Sequence, residues 1–298
     1  METAITVPNR QNIDNIFNLL DVSEETRKDY KYRIGAFTDF IKQHGLSNNS
    51  FLEYKKILSG RNDFSVSTKN KYLAAARIFL KELNRQGLIP VDVTQNIKAF
   101  KQGKKHKRDG LNNEEMERLS AWMKKLPDNA QNCRLRAIFS LLALQGLRQC
   151  EIVRLDVGDL DLVAKTAAIQ GKGRDDKELM NLHPETIKNL HEYLKVNKIS
   201  DGPLFVSESN NSKGHRLTTR ALRGLIGEIL ASLGIEKTVH GFRHYFTTTL
   251  VKVYKGDLLE VAQYTRHKSL EMLQVYNDHV KREEDLPRYY EAFDGVNF

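Results

Sequence analysis

Four short segments concentrate arginine, histidine, lysine and tyrosine: QGLRQCEI (145–152), QGKGRDD (170–176), HGFRHYFTT (240–248) and YTRHKSLEMLQVYNDH (264–279). Taken singly, each has a plain structural account. Arg148 follows an almost wholly apolar stretch and can pair with Glu151, three residues on. Lys172 sits in a glycine-flanked turn, where a lysine is usually just solvated. His240 and His244 stand four apart, as on a zinc-binding helix, but that pattern needs glutamate where Gly241 stands. His267 precedes a helix that Ser269 would cap, and Tyr276 follows Met272 and Leu273 as a core aromatic could.

Together the segments describe a different chemistry. A reacting phosphodiester builds negative charge on its non-bridging oxygens as phosphorus becomes five-coordinate. Arginine suits that charge because its guanidinium is planar, permanently cationic and bidentate. Two arginines with two histidines make a preorganised clamp for it. A tyrosine hydroxyl can attack if nearby cations offset its ordinary pKa of about 10. A lysine on a flexible turn can reach the departing 5′ oxygen and protonate it.

Those residues must be positioned by a scaffold of 298 residues, enough for two domains. The hydrophobic fraction of 40% supports real cores, and the net charge of +9 favours a polyanionic partner. No apolar run approaches the ~18 residues of a membrane span. The N-terminus has neither the basic start nor the apolar centre of a signal peptide, so a cytoplasmic address is expected. Cys133 and Cys150, the two cysteines, read as buried thiols of one apolar helical stretch.

Residues 1–100 read as a small all-helical domain. Ile34, Phe37, Phe40 and Ile41 share one helix face that ends near Gly45. Tyr72, Ala76, Phe79, Leu80 and Leu83 repeat after a cap at Ser67/Thr68, with Gly87 and Pro90 closing the segment. KQGKKHKRDG (101–110) is a basic linker, and Lys101, Lys104, Lys105, Lys107 and Arg108 are candidates to lie on phosphates. A second domain, 111–298, opens with a capping box at Asn112 and Glu115 before Met116, Leu119 and Met123. The stretch from Leu135 to Leu147 reads as its buried central helix. TAAIQ and KELMNL flank GKGRDD as a β-hairpin. Helical periods return at Ile187, Leu190 and Leu194 after Pro184, then at Leu222, Leu225, Ile226, Ile229 and Leu233 between Thr218/Thr219 and Gly234. The expected fold is mainly α, with one small antiparallel β-sheet in the second domain.

In this order the four segments resemble the tyrosine recombinase family, also called phage integrases. GLRQCEI looks like the family's first box, which implies Arg148 as a catalytic arginine with Glu151 as its supporting acid. QGKGRDD resembles the hairpin that delivers the catalytic lysine, Lys172, with Arg174 beside it as a DNA contact. HGFRHYFTT is similar to the histidine–x–x–arginine–histidine box, implying His240 and Arg243 as catalytic and His244 as supporting. VAQYTRHKSLEMLQVY resembles the last box, with His267 and, nine residues later, the nucleophile Tyr276 rather than Tyr264, Tyr289 or Tyr290. Residues 10–100 then resemble a core-binding domain and 111–298 a catalytic domain. Two departures stand out. Thr265-Arg266 replaces the family's usual Leu-Gly, which makes Arg266 a further candidate phosphate contact. IPVDVTQNIKAF lacks the usual Asn-Pro.

The resemblance implies a site-specific DNA recombinase working through a 3′-phosphotyrosyl intermediate, with no metal and no cofactor. Its partners would be double-stranded recombination sites, on which a homo-tetramer assembles, with accessory DNA-bending proteins in some systems. The two domains would close as a clamp around DNA. Leu286, Tyr289, Tyr290 and Phe293, at helical spacing in the tail, could dock on a neighbouring protomer or pack on their own domain. Two rivals share much of the pattern: a monomeric type IB topoisomerase-like enzyme, and a catalytically inert DNA-binding regulator.

Overall fold

The computed structural model describes residues 15–103, 110–171, 173–267, 269–292 and 294. The chain divides into two compact units, residues 1–104 and 105–298. Four of the linker cations proposed above (Lys104, Lys105, Lys107 and Arg108), together with Lys172 and Phe293, lie outside the described residues. Lys101 is described and exposed.

Three helices dominate the first unit: α1 (Glu24–His44), α2 (Ser50–Gly60) and α3 (Val66–Arg85). The Ser23 hydroxyl accepts the Thr26 N–H to start α1, and Gly45 at φ +78° ends it where the sequence places its stop. The cap of α3 is Ser65, which accepts the Thr68 N–H at 3.2 Å. The expected cap at Ser67/Thr68 is thus corrected by two residues, because those side chains already belong to the first turn. The core is aromatic: Phe17, Phe37, Phe51 and Phe79 are fully buried, and the Phe37 ring meets Tyr54 edge-on at 4.9 Å. Beyond α3, the Asn70 amide both donates to the Phe100 carbonyl (3.0 Å) and accepts its N–H (2.8 Å), fastening the end of the unit onto the helix.

The second unit opens with α4 (Asn113–Lys124), started by the Asn112/Glu115 capping box, and α5 (Ala130–Ala143), capped by Asn129. Sequence periodicity carries α5 on to Leu147, but the helix stops at Ala143 and Gly146 turns the chain at φ +58°. An alanine Cβ there would stand 2.3 Å from the Phe246 ring, so glycine is required both by conformation and by the close approach. The turn feeds the short α6 (Gln149–Arg154). Cys150 lies on α6, half-buried, while Cys133 is buried on α5, so the two thiols do not share one helix.

A three-stranded antiparallel sheet follows in the order β1 (Leu160–Asp161), β2 (Thr166–Gln170), β3 (Lys177–Asn181). β2 and β3 form the hairpin expected from TAAIQ and KELMNL, with the second strand ending at Asn181, Ala167 opposite Met180 and Gln170 opposite Lys177. Ala167 and Ile169 face the core and alternate with more exposed neighbours, the period-2 signal that made the hairpin legible. Then come α7 (Pro184–Asn197), α8 (Thr219–Ser232, capped by Thr218), α9 (Val239–Val253), α10 (Leu258–Thr265) and α11 (Leu270–Glu291). The main core joins α5 residues Ile138, Leu141 and Leu142 to Leu190, Leu222, Ile226 and Phe242. A smaller cluster of Val251, Val261, Leu273, Tyr276 and Val280 binds α9, α10 and α11 together. Past Val280, α11 is more open: Leu286 is half-buried, while Tyr289 and Tyr290 are 56% and 63% exposed and their rings meet at 5.7 Å. No helix among the described residues is long and apolar enough to cross a membrane.

Candidate active site

The most deeply set of the described candidate catalytic residues is Arg243, 2% exposed on the first turns of α9. Its Nη1 donates to the Gly146 carbonyl at 2.8 Å and its Nη2 to the Thr265 carbonyl at 2.6 Å. Two chain reversals, one after α5 and one after α10, therefore aim their carbonyls at one guanidinium. Burial, then repulsion from Arg148, lowers the Arg243 pKa to about 10, which still leaves it cationic at neutral pH.

Arg148 stands immediately before α6, and the third residue of that helix, Glu151, reaches back to it. The Glu151 carboxylate accepts the Arg148 backbone N–H and its Nη1, both at 2.8 Å. The Arg148–Glu151 pairing anticipated from the i, i+3 spacing is present, with Glu151 1% exposed and the Arg148 side chain 30% exposed. The pair therefore orients Arg148 while leaving part of its guanidinium open.

At the end of α10, the Thr265 hydroxyl donates to the Val261 carbonyl (2.9 Å) and so must accept from His267 Nδ1 (2.7 Å). That assigns the proton to Nδ1 and leaves Nε2 as an acceptor. Burial, with Arg243 and Arg148 next in weight, pushes the His267 pKa down to about 3, so the ring is neutral in the DNA-free chain. Arg266 departs from expectation. It adopts the left-handed conformation that its place suggested for glycine, φ +54°. Its guanidinium is only 5% exposed and pairs with Glu151 at 2.9 Å. The proposed phosphate contact is corrected accordingly: the charge is spent inside the protein.

Tyr276, two turns into α11, is 5% exposed. Its hydroxyl lies 2.7 Å from His244 Nδ1, on α9 one turn after His240. The His240 and His244 rings meet edge-on at 4.6 Å, and the His267 ring centroid is 6.1 Å from that of Tyr276. Nearby cations alone would lower the tyrosine pKa. Burial outweighs Arg243 and Arg148 and raises it to about 12, so the phenol is neutral before substrate arrives.

These side chains line one cavity of about 560 Å³ that includes Arg148, His240, Arg243, His244, His267 and Tyr276. Gly171 and Arg174 of the hairpin turn border it, on either side of the undescribed Lys172. Arg174 is half-buried and paired with Glu178 at 2.5 Å. Four arginines and two glutamates are among its described lining residues, an excess of positive charge suited to an anion. Among the described residues, no three His, Cys, Asp or Glu side chains cluster as a metal site requires. Gly146 and Thr265 contribute backbone carbonyls, which residue types alone do not reveal. The glycine just after an apolar helix was the available signal for the first. Thr265 carried none.

The model of the phage integrase family matches residues 110–283. Tyrosine recombinase XerC of Haemophilus influenzae (strain PittEE) is 30% identical over 207 residues, 68% of each chain. Tyrosine recombinase XerD of Lacticaseibacillus casei is 28% identical over 281 residues, 89% of this chain and 92% of that one. Tyrosine recombinase slr0733 of Synechocystis sp. is 30% identical over 156 residues, about half of either chain. In fold, the chain is similar to XerH site-specific recombinase bound to palindromic difH substrate, with TM-score 0.74, 22% identity and coverage of 89% and 79%. It is also similar to a lambda integrase dimer bound to a COC′ core site, with TM-score 0.67, 14% identity and coverage of 90% and 93%. The chain belongs to the phage integrase family and is a tyrosine recombinase, an enzyme that cleaves and rejoins DNA.

Proposed function

We propose that this enzyme is a site-specific recombinase whose nucleophile is Tyr276. The observation that carries the reading is the convergence of Arg148, His240, Arg243, His267 and Tyr276, from three separate stretches of sequence, on one positively charged cavity. Tyr276 Oη attacks the scissile phosphorus, the bond to the 5′ oxygen breaks, and a 3′-phosphotyrosyl bond forms. Arg148 and Arg243 hold the charge on the non-bridging oxygens. Lys172, carried on the hairpin turn, gives its proton to the departing 5′ oxygen. The phenol proton passes to His244, whose Nδ1 already lies 2.7 Å away. A phosphate entering the cavity adds negative charge opposite the arginines, which favours protonation of His267 and lets it, with His240, hydrogen-bond the phosphate oxygens. Attack by the 5′ hydroxyl of a second duplex reverses these steps and exchanges strands, with the bond energy conserved in the phosphotyrosine.

The partner is double-stranded DNA carrying a recombination site. XerH and lambda integrase, similar in fold, are bound to such sites in their structures. The helical first unit, with Lys101 and the linker cations after it, supplies sequence-independent phosphate contacts as well as site recognition. Arg174, which borders the cavity in a half-buried pair with Glu178, would exchange that partner for a phosphate. We further propose assembly as a tetramer on two sites, with the exposed Tyr289 and Tyr290 of α11 toward a neighbouring protomer, and work in the cytoplasm. The test is covalent trapping on nicked DNA bearing the site. An SDS-resistant adduct that survives EDTA and disappears in Tyr276→Phe is expected. An adduct persisting in that variant moves the nucleophile elsewhere, and a stable one-to-one complex in place of a synaptic tetramer favours the topoisomerase-like alternative.

A further inference from the structure

Arg266 holds a position that the mechanism above leaves unused. Its backbone lies at φ +54°, ψ +41°, a conformation that a residue with a Cβ adopts at a cost. Yet its long side chain turns inward. Nη2 donates to Glu151 Oε2 at 2.9 Å, and Nη1 lies 3.8 Å from Met180 Sδ on β3. The carboxylate it grips is the one that holds Arg148 through both guanidinium and backbone. A carboxylate buried that deeply is costly unless matched by cations. Burial pushes Glu151 up, but Arg266, the strongest opposing charge, and Arg148 together more than offset it and hold it below the ordinary carboxylate range.

The residues flanking Arg266 reach the rest of the site. The Thr265 carbonyl accepts from Arg243, and the Thr265 hydroxyl accepts from His267. Three consecutive residues thus touch both arginines, directly or through Glu151, and the second histidine. We infer that Arg266 is a positioning residue that, by gripping Glu151, locks the 265–267 turn onto the start of α6 and holds Arg148, Arg243 and His267 in one frame. This inference rests on the cavity being the phosphoryl-transfer site. It requires a guanidinium rather than charge alone, since one nitrogen donates to Glu151 while the other lies against Met180 Sδ, a reach that a single ammonium cannot reproduce.

The test compares the full-length wild type with Arg266→Gly and Arg266→Lys in two measurements. One is the single-turnover rate of covalent adduct formation on nicked site DNA. The other is equilibrium DNA affinity across a salt series. Glycine relaxes the left-handed backbone while deleting the bridge, but it leaves the buried Glu151 carboxylate with Arg148 alone, so the melting temperature is expected to fall and the rates are compared at a temperature where both proteins are folded. Arg266→Gly is expected to leave affinity and salt slope unchanged while slowing adduct formation about 10- to 100-fold, the cost of a small misplacement of reacting groups. Arg266→Lys recovers only part of that rate, and its comparison with wild type stands by itself if the glycine variant does not fold. Combined with Glu151→Gln, Arg266→Gly adds no further loss, because the two act as one unit. The inference is overturned if adduct forms at the wild-type rate, or if the two losses multiply. It is also overturned if the defect lies in affinity with a salt slope lowered by about one, the mark of a phosphate contact. An adduct that persists in Tyr276→Phe would sink the underlying reading, whereas a fully active Arg266→Gly sinks this inference alone.

Discussion

The two units of this enzyme bury opposite kinds of side chain. The first is held by interlocked rings, Phe17, Phe37, Phe51 and Phe79, and among its described residues the one buried charged side chain is Glu82. The second has an aliphatic centre but also buries Arg134, Glu151, Arg243 and Arg266. Apolar burial stabilises without regard to direction, by roughly 1.5–3 kcal/mol for each large side chain. A buried ion costs several kcal/mol before its partners repay it, and it is held only by particular geometry. Stability in the first unit therefore scales with area, while in the second part of it is exchanged for the fixed orientation of a few cations.

That contrast can be broken most severely at Arg243. Arg243→Ala strips a donor pair from the site and leaves the buried Gly146 and Thr265 carbonyls without it. Adduct formation on nicked DNA should fall about 1000-fold, and Arg243→Lys should recover little. In the first unit the matching experiment is Phe79→Ala, which should cost ~3–5 kcal/mol. Urea unfolding followed by two probes should show the first unit melting early and the second at its wild-type midpoint. If both shift together, the units do not fold independently. Gly146→Ala is expected to cost about 1–3 kcal/mol through its contact with the Phe246 ring, and to slow cleavage as well, because the carbonyl it displaces orients Arg243.

A gentler probe uses pH. His267 is held down to about 3, below the ~6.5 of a free imidazole. Between those values the unfolded chain binds a proton that the folded chain refuses, so stability falls as pH drops from about 6.5 toward 3. His267→Asn should show a shallower loss of melting temperature between pH 7 and pH 5 than wild type, and an identical slope would contradict the shift. The smallest effect belongs to the tail: Tyr289→Ser with Tyr290→Ser should change the stability of the isolated chain by less than about 0.5 kcal/mol.

Much of this was legible in the sequence because the informative signals are local. Asn112 and Glu115 form a capping box at three-residue spacing, and the alternation in TAAIQ marks a half-buried strand. The order of Arg148, His240, Arg243, His267 and Tyr276, which line one cavity, has chemical meaning even before the chain is folded. What stayed hidden depends on contacts between distant segments. Nothing in YTRHKS shows that Arg266 points inward, because its partner Glu151 lies 115 residues away. The raised Tyr276 pKa was missed because the cations near it can be read from their types, but the burial that outweighs them cannot. Ser65 was passed over as a cap because Ser65, Ser67 and Thr68 are all competent caps, and tertiary packing decides where α3 begins.

The seating of Arg243 has a genetic corollary. Both of its acceptors are peptide oxygens, at Gly146 and Thr265. Every codon encodes such an oxygen, so no exchange of side chain at either place deletes it. Heredity can disturb this joint only by bending the main chain, so tolerance at these two positions should follow which torsion angles a newcomer accepts rather than its polarity.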